Sequence, residues 1–224
     1  MSASTLPTRS RAAHTRAVRP KPLLLRPIAK VALFAACMLP LAWLIFGAVT
    51  NALGANPAEH LIRSTGDWTL RFLCITLAIT PLRNWIKQPS LARFRRMLGL
   101  FSFFYVVLHF LSYSWLDMGF EIDAILADIP KRPFILVGTA ALLSMLPLAL
   151  TSFNRAIKAL GAARWQALHR MVYATALLAL LHFFWMRAGK NNFGEWSIYA
   201  AVLGGLLGWR LWKRLRRGAA TAVL

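Results

Sequence analysis

Acidic residues are scarce in this chain. Its 224 residues include 7 Asp+Glu against 27 Lys+Arg, a formal charge of +20. In a water-soluble protein such an excess would point to nucleic acid, but the cations here are distributed as membrane topology requires, so no nucleic-acid partner is expected. Cysteine is nearly absent too. Cys37 and Cys74 lie inside apolar runs, where they read as small packing residues, and no C-x-x-C-H motif exists to attach a c-type haem covalently. No apolar–polar alternation of period two persists through the apolar segments, which argues against strands. No G-x-G-x-x-G fingerprint follows a strand, so nothing marks a dinucleotide-binding unit. No internal repeat is evident.

What the chain has instead is apolar length. Hydrophobic residues make up 58% of it, and the mean hydropathy is +0.53. Six blocks approach the roughly 20 residues that a helix needs to cross a bilayer. They are Val31–Ala48, Trp68–Leu82, Leu98–Leu116, Phe134–Ser152, Leu168–Met186 and Trp196–Trp212, the second being short for a span. Lipid offers the backbone no hydrogen bonds, so these blocks are expected as helices. The expected fold is an all-α integral membrane protein, a six-transmembrane-helix bundle over residues 31–217. It is flanked by a basic, disordered cytoplasmic tail (1–30) and a short C-terminal tail (218–224).

Charge orients the bundle. Arg9, Arg11, Arg16, Arg19, Lys21, Arg26 and Lys30 precede the first block, and Arg83, Lys87, Arg93, Arg95 and Arg96 follow the second. Arg155, Lys158 and Arg164 follow the fourth, and Arg210, Lys213, Arg214, Arg216 and Arg217 close the sixth. The opposite loops carry only Arg63, Lys131, Arg132, Arg187 and Lys190, together with all seven acids: Glu59, Asp67, Asp117, Glu121, Asp123, Asp128 and Glu195. The positive-inside rule then places both termini in the cytoplasm, as an even number of spans requires.

Five histidines are present. His14 falls in the tail and His60 in an outer loop, and both read as solvated. His109, His169 and His182 fall within spans, where ionisable side chains are costly and point to function. A neutral histidine can also bond a carbonyl of the next helix. Three such histidines on two helices, beside Phe103, Phe104, Tyr105, Tyr113, Tyr173, Phe183, Phe184 and Trp185, favour cofactor ligation. His109 lies roughly 16 Å along its helix from the cytoplasm, and His182 lies in the outer half of its own. The two are therefore expected to share one b-type haem, for which neutral imidazoles are suitable axial ligands.

His169, near the cytoplasmic end, has no histidine at matching depth. Arg95 and Arg96 lie there, and Arg95 falls within about 40° of the His109 face. A guanidinium stays protonated and is a poor iron ligand, but it can pair with haem propionates or a flavin phosphate. His169 and His182 are about 140° out of phase on one helix. One haem or two is therefore left open. Arg71, one turn inside the second span, reads either as snorkelling to the interface or as a propionate partner of the outer haem.

The runs TGDWTLRFLCITLAITPLR, RRMLGLFSFFYVVLHFLSY and GAARWQALHRMVYATALLALLHFFW resemble the MsrQ (YedZ) family, in the ferric-reductase-like transmembrane superfamily. The resemblance covers roughly residues 31–217. It implies a six-helix bundle in the bacterial inner membrane that binds b-type haem and FMN. It also implies electron flow from the quinone pool to MsrP, a periplasmic molybdopterin enzyme that reduces methionine sulfoxide in envelope proteins. The family's haem-associated histidines fall on His109, His169 and His182, and Arg95 or Arg96 occupies the place of an arginine considered there. Only 12 residues follow Trp212, so the flavin and nicotinamide domain that ferric reductases and NADPH oxidases append is not expected. Donor and acceptor would then be separate molecules, and the outer acids could form a docking face. The alternatives are a stand-alone transmembrane ferric or cupric reductase, and a proton-coupled transporter whose histidines relay protons.

Overall fold

The computed structural model describes residues 27–189 and 191–221, so most of the expected N-terminal tail and the last three residues lie outside the described residues. Nine α-helices and one 3₁₀ segment occur among the described residues, and no strand. They are α1 (Pro27–Val49), α2 (Pro57–Trp85), the 3₁₀ segment (Pro89–Phe94), α3 (Arg95–Leu116), α4 (Ile122–Lys131), α5 (Pro133–Leu150), α6 (Asn154–Leu160), α7 (Ala162–His169), α8 (Val172–Ala188) and α9 (Gly194–Thr221).

Local chemistry explains several boundaries. The Asn56 side chain caps α2 by accepting the Glu59 N–H at 3.1 Å, with Pro57 next in its favoured first-turn place. Pro133 opens α5 in the same way. Gly161, at φ +74°, turns the chain between α6 and α7 in a conformation that side chains rarely adopt.

Among the described residues, four apolar helical segments are long enough to cross a membrane: Pro27–Val49, Pro89–Leu116, Pro133–Leu150 and Ala162–Ala188. The chain is a multi-pass membrane protein. The other two expected spans fall on α2 and α9, of 29 and 28 residues. Both exceed the length needed to span, but each interrupts its apolar run with charge. Arg71 and Arg83 do so in α2, and Arg210, Lys213 and Arg214 in α9.

The helices pack as two close pairs, α2 along α3 and α5 along α8, with α9 against α2 and α8. α2 is central. One side joins Cys37 of α1 and Leu98, Phe101 and Tyr105 of α3 through its own Phe72 and Ile79. Another joins Ala176, Phe183 and Leu203 through Leu70, Leu73, Cys74 and Leu77. The buried Tyr105 hydroxyl donates to the Cys37 carbonyl and accepts the Leu41 N–H, both at 3.0 Å. It thereby bridges the i, i+4 backbone groups of Cys37 and Leu41, next to Pro40 of α1. Many large apolar side chains of α1 remain exposed, including Val31, Phe34, Trp43 and Phe46, as a lipid-facing helix requires.

The expected fifth span is broken. α7 ends at His169, and α8 begins at Val172 after a tight turn in which Met171 N–H bonds the Leu168 carbonyl and Tyr173 N–H the Arg170 carbonyl. Arg170 and Met171 keep right-handed helical angles, so the chain continues in nearly the same direction, and His169 and His182 each line a cavity within the bundle.

Candidate cofactor site

His109 of α3 and His182 of α8 face each other with ring centroids 6.0 Å apart and planes at 77°. Both line one cavity of about 440 Å³ between α2, α3, α5 and α8. Each ring is held by a helix that carries no ligand. His109 Nδ1 lies 2.8 Å from the Ile62 carbonyl of α2, and His182 Nδ1 lies 2.6 Å from the Phe134 carbonyl of α5. A carbonyl only accepts, so both Nδ1 atoms carry the proton. Both Nε2 lone pairs are left free, the tautomer that a metal-ligating histidine needs.

Glycine makes this closeness possible. A Cβ on Gly66 would stand 3.1 Å from His109 Nδ1 and Cε1, and one on Gly138 would stand 2.7 Å from His182 Nδ1. Gly66 follows Ile62 by four residues, and Gly138 follows Phe134 by four. On each helix a carbonyl orients the imidazole, and the glycine one turn later clears room for it.

These residues fit a haem. Metal–imidazole bonds run about 2 Å, so two imidazoles sharing one metal stand with centroids roughly 6 Å apart. No group of three or more His, Cys, Asp or Glu suited to a metal occurs among the described residues. A macrocycle that brings its own four nitrogens would need only two further ligands, which the opposed imidazoles of His109 and His182 could supply. The cavity is lined by apolar residues of the helix interiors, among them Leu70, Val106, Ile135, Ala141 and Phe183, and by Asn56, Glu59, Arg63, Asp117 and Arg132, which belong to the start of α2, the end of α3 and the start of α5. There Asp128 of α4 accepts from the Tyr113 hydroxyl at 2.6 Å and pairs with Arg132. The Arg132 hydrogen bonds hold the Asp128 carboxyl below its ordinary 3.8.

A second cavity, of about 320 Å³, occupies the other end of the same helices. It is lined by His169, Arg95 and Arg96 together with Arg83, Trp165 and Thr175. His169 stacks on Trp165 at 3.9 Å, and its Nε2 lies 3.0 Å from the Thr151 hydroxyl. That hydroxyl also donates to the Pro147 carbonyl at 2.7 Å, and Trp165 Nε1 donates to the Thr151 carbonyl at 2.9 Å. Arg96 reaches Asn154 at 2.8 Å. No second histidine lines this cavity.

The structure thus brings His109 and His182 together, and separately His169, Arg95 and Arg96. It does not bring Arg71 to either cavity. Arg71 lies over the Trp68 ring and donates to the Tyr199 hydroxyl at 3.2 Å, tying α2 to α9. The cations lining the His109/His182 cavity are Arg63 and Arg132 instead. His60 is an exposed residue of α2, and His14 lies outside the described residues. Gly66, Gly138 and the two carbonyls were not among the sequence candidates. For Gly138 the signal was a lone glycine inside an apolar helical run, which costs about 1 kcal/mol against alanine and invites a packing reason; Gly66 lies in the polar stretch Arg63–Asp67 and gave no such signal.

A bundle of apolar helices holding two opposed imidazoles defines a class, the haem-ligating membrane proteins of electron transfer. The family model described as "Ferric reductase like transmembrane component" matches residues 65–181, which include His109 and His169 and stop one residue before His182. A protein from Polaromonas naphthalenivorans (strain CJ2), called protein-methionine-sulfoxide reductase heme-binding subunit MsrQ, is 61% identical over 207 residues, covering 89% of this chain and 94% of its own length. Proteins of the same name from Herminiimonas arsenicoxydans and Xanthomonas campestris pv. campestris (strain B100) are 51% and 44% identical. They cover 80% and 87% of this chain, and 82% and 90% of their own lengths. No solved structure matches. The chain belongs to the MsrQ family of the ferric-reductase-like transmembrane proteins.

Proposed function

We propose that this protein is the haem-binding electron-transfer subunit of a methionine sulfoxide reductase system. In this reading a b-type haem is held by the Nε2 atoms of His109 and His182. The observation that carries it is the pair of opposed imidazoles, each tied through Nδ1 to a carbonyl with its lone pair free. The names of the relatives, which describe heme-binding subunits of that system, support it.

The haem, when bound, supplies one-electron exchange between ferric and ferrous iron. The chain's own residues do the rest. Ile62 and Phe134 fix the tautomer of each ligand, Gly66 and Gly138 let the helices close on the rings, and the apolar wall excludes water.

The reading extends to topology. All six long segments cross the inner membrane, with α2 and α9 as the second and sixth spans. Both termini are cytoplasmic, residues 31–217 form the haem bundle, and the His109/His182 cavity lies toward the periplasm. Electrons enter from the quinone pool near the inner cavity and leave to the periplasmic molybdoenzyme MsrP. The inner cavity combines stacking surfaces, His169 and Trp165, with the cations Arg83, Arg95 and Arg96, which suits the phosphate and ring of FMN or the propionates of a second haem.

Reconstitution in liposomes tests the function. A quinol analogue should reduce the protein, and steady oxidation should require added MsrP with a methionine sulfoxide substrate. Steady reduction of chelated ferric ion without MsrP would favour the stand-alone metal reductase instead. Haem and flavin content of wild type and His169→Ala tests the inner cavity: loss of FMN or of about half the haem is expected, and unchanged content of both would defeat that part.

A further inference from the structure

The outer cavity has a polar end with no role yet. Its lining includes two permanent cations, Arg63 of α2 and Arg132 at the start of α5, while the deep wall is apolar. Each arginine already holds one carboxylate a turn away: Arg63 pairs with Glu59, and Arg132 pairs with Asp128. Each also sits within two residues of a carbonyl that orients a histidine, Ile62 beside Arg63 and Phe134 beside Arg132. The two helices without ligands thus carry the same three parts: an arginine, an orienting carbonyl and, one turn on, a glycine.

Building on the haem reading, we propose that Arg63 and Arg132 bind the two propionate carboxylates at the haem edge. An amphipathic ligand places its apolar body against the apolar wall and its anionic edge at the polar mouth. A guanidinium presents five N–H donors, so one carboxylate partner leaves donors for another. Both arginines are also needed for charge: Glu59, Asp67 and Asp117 line the same cavity and would otherwise repel an anionic edge. Arg71, the sequence candidate for this role, does not line the cavity: it lies over Trp68, donates to Tyr199 and stands 4.0 Å from Asp67.

The test uses the full chain, purified in detergent and loaded with haem b. It compares Arg63→Gln, Arg132→Gln and Arg71→Gln by midpoint potential across pH and by the rate of haem loss to a scavenging apoprotein. Removing a cation near the iron favours the ferric state, so each cavity variant should lower the potential and lose haem about tenfold faster or more. A carboxyl deprived of its cation titrates at higher pH, so the pH-dependent part of the potential should also move upward. Arg132→Lys should restore the potential more fully than haem retention, because an ammonium keeps the charge without the bidentate fork. Arg71→Gln, which acts on the cavity only through Asp67 at 4.0 Å, should lower the potential less than either cavity variant and leave haem retention unchanged. Two arginines on separate helices keep the test open if one variant does not fold. Wild-type potential, pH profile and retention in both cavity variants, with a normal b-type spectrum, would overturn the proposal while leaving the haem reading intact. A wild type without a b-type spectrum would instead defeat the haem reading itself.

Discussion

Gly138 and His182 are so close that a Cβ on the glycine would lie 2.7 Å from the imidazole Nδ1, closer than side-chain carbon atoms approach such a neighbour. The absence of a side chain on α5 is therefore a requirement of the ring on α8, and the same relation joins Gly66 to His109 at 3.1 Å.

Gly138→Ala is expected to displace His182 or open α5 from α8, weakening or losing one axial ligand. Gly66→Ala should act in the same direction more mildly, because its neighbour has to give by only a few tenths of an ångström. Low-temperature electron paramagnetic resonance of the ferric protein checks this by separating bis-imidazole low-spin iron from a high-spin form. Unperturbed low-spin signals in Gly138→Ala would show that the contact is not what places the ring.

The outer end of the bundle should be acid-sensitive. Asp128 is held below its ordinary value by Arg132, so its pairing stabilises the fold fully above the unfolded carboxylate value of about 3.9. That stability is lost as pH falls through the still lower folded value. Thermal unfolding in detergent should therefore show wild type losing an increment below about pH 4. Asp128→Asn should lack the increment at neutral pH and show a flatter acid limb. Parallel acid limbs would remove the lock on α4.

Tyr105 bridges the Cys37 carbonyl and the Leu41 N–H of α1. Tyr105→Phe strands the Leu41 N–H and should cost about 1–3 kcal/mol. Urea or thermal unfolding should register the loss while the visible spectrum stays that of wild type. A changed spectrum would mean that α1 reaches the cofactor site.

Much of this architecture was legible in the sequence because lipid forces it. Apolar blocks and the separation of cations from acids outline a helical membrane protein without any tertiary information. The His109–His182 juxtaposition followed from depth alone, since both helices start on the same side. What sequence could not supply was rotation and neighbours. His169 and His182 line different cavities, so the phase between them on one helical segment did not decide whether both serve a site. Arg71 seemed as well placed as any cation by depth, but the face of α2 it occupies belongs to Tyr199 and α9. The orienting groups of Ile62 and Phe134 are backbone carbonyls, which every residue has, so only Gly138, alone in its apolar run, hinted at one of them. α2 and α9 carry so much charge that their apolar runs are short, although both helices are long enough to cross a bilayer.

The most direct test of the central claim is a reduced-minus-oxidised visible spectrum of the purified protein, repeated on His109→Ala and His182→Ala. A b-type spectrum in the wild type, with the outer-haem component lost in both variants alike, is the result expected if the two imidazoles share one iron. A b-type spectrum that survives both substitutions unchanged, or a colourless wild type from haem-replete cells, would contradict it.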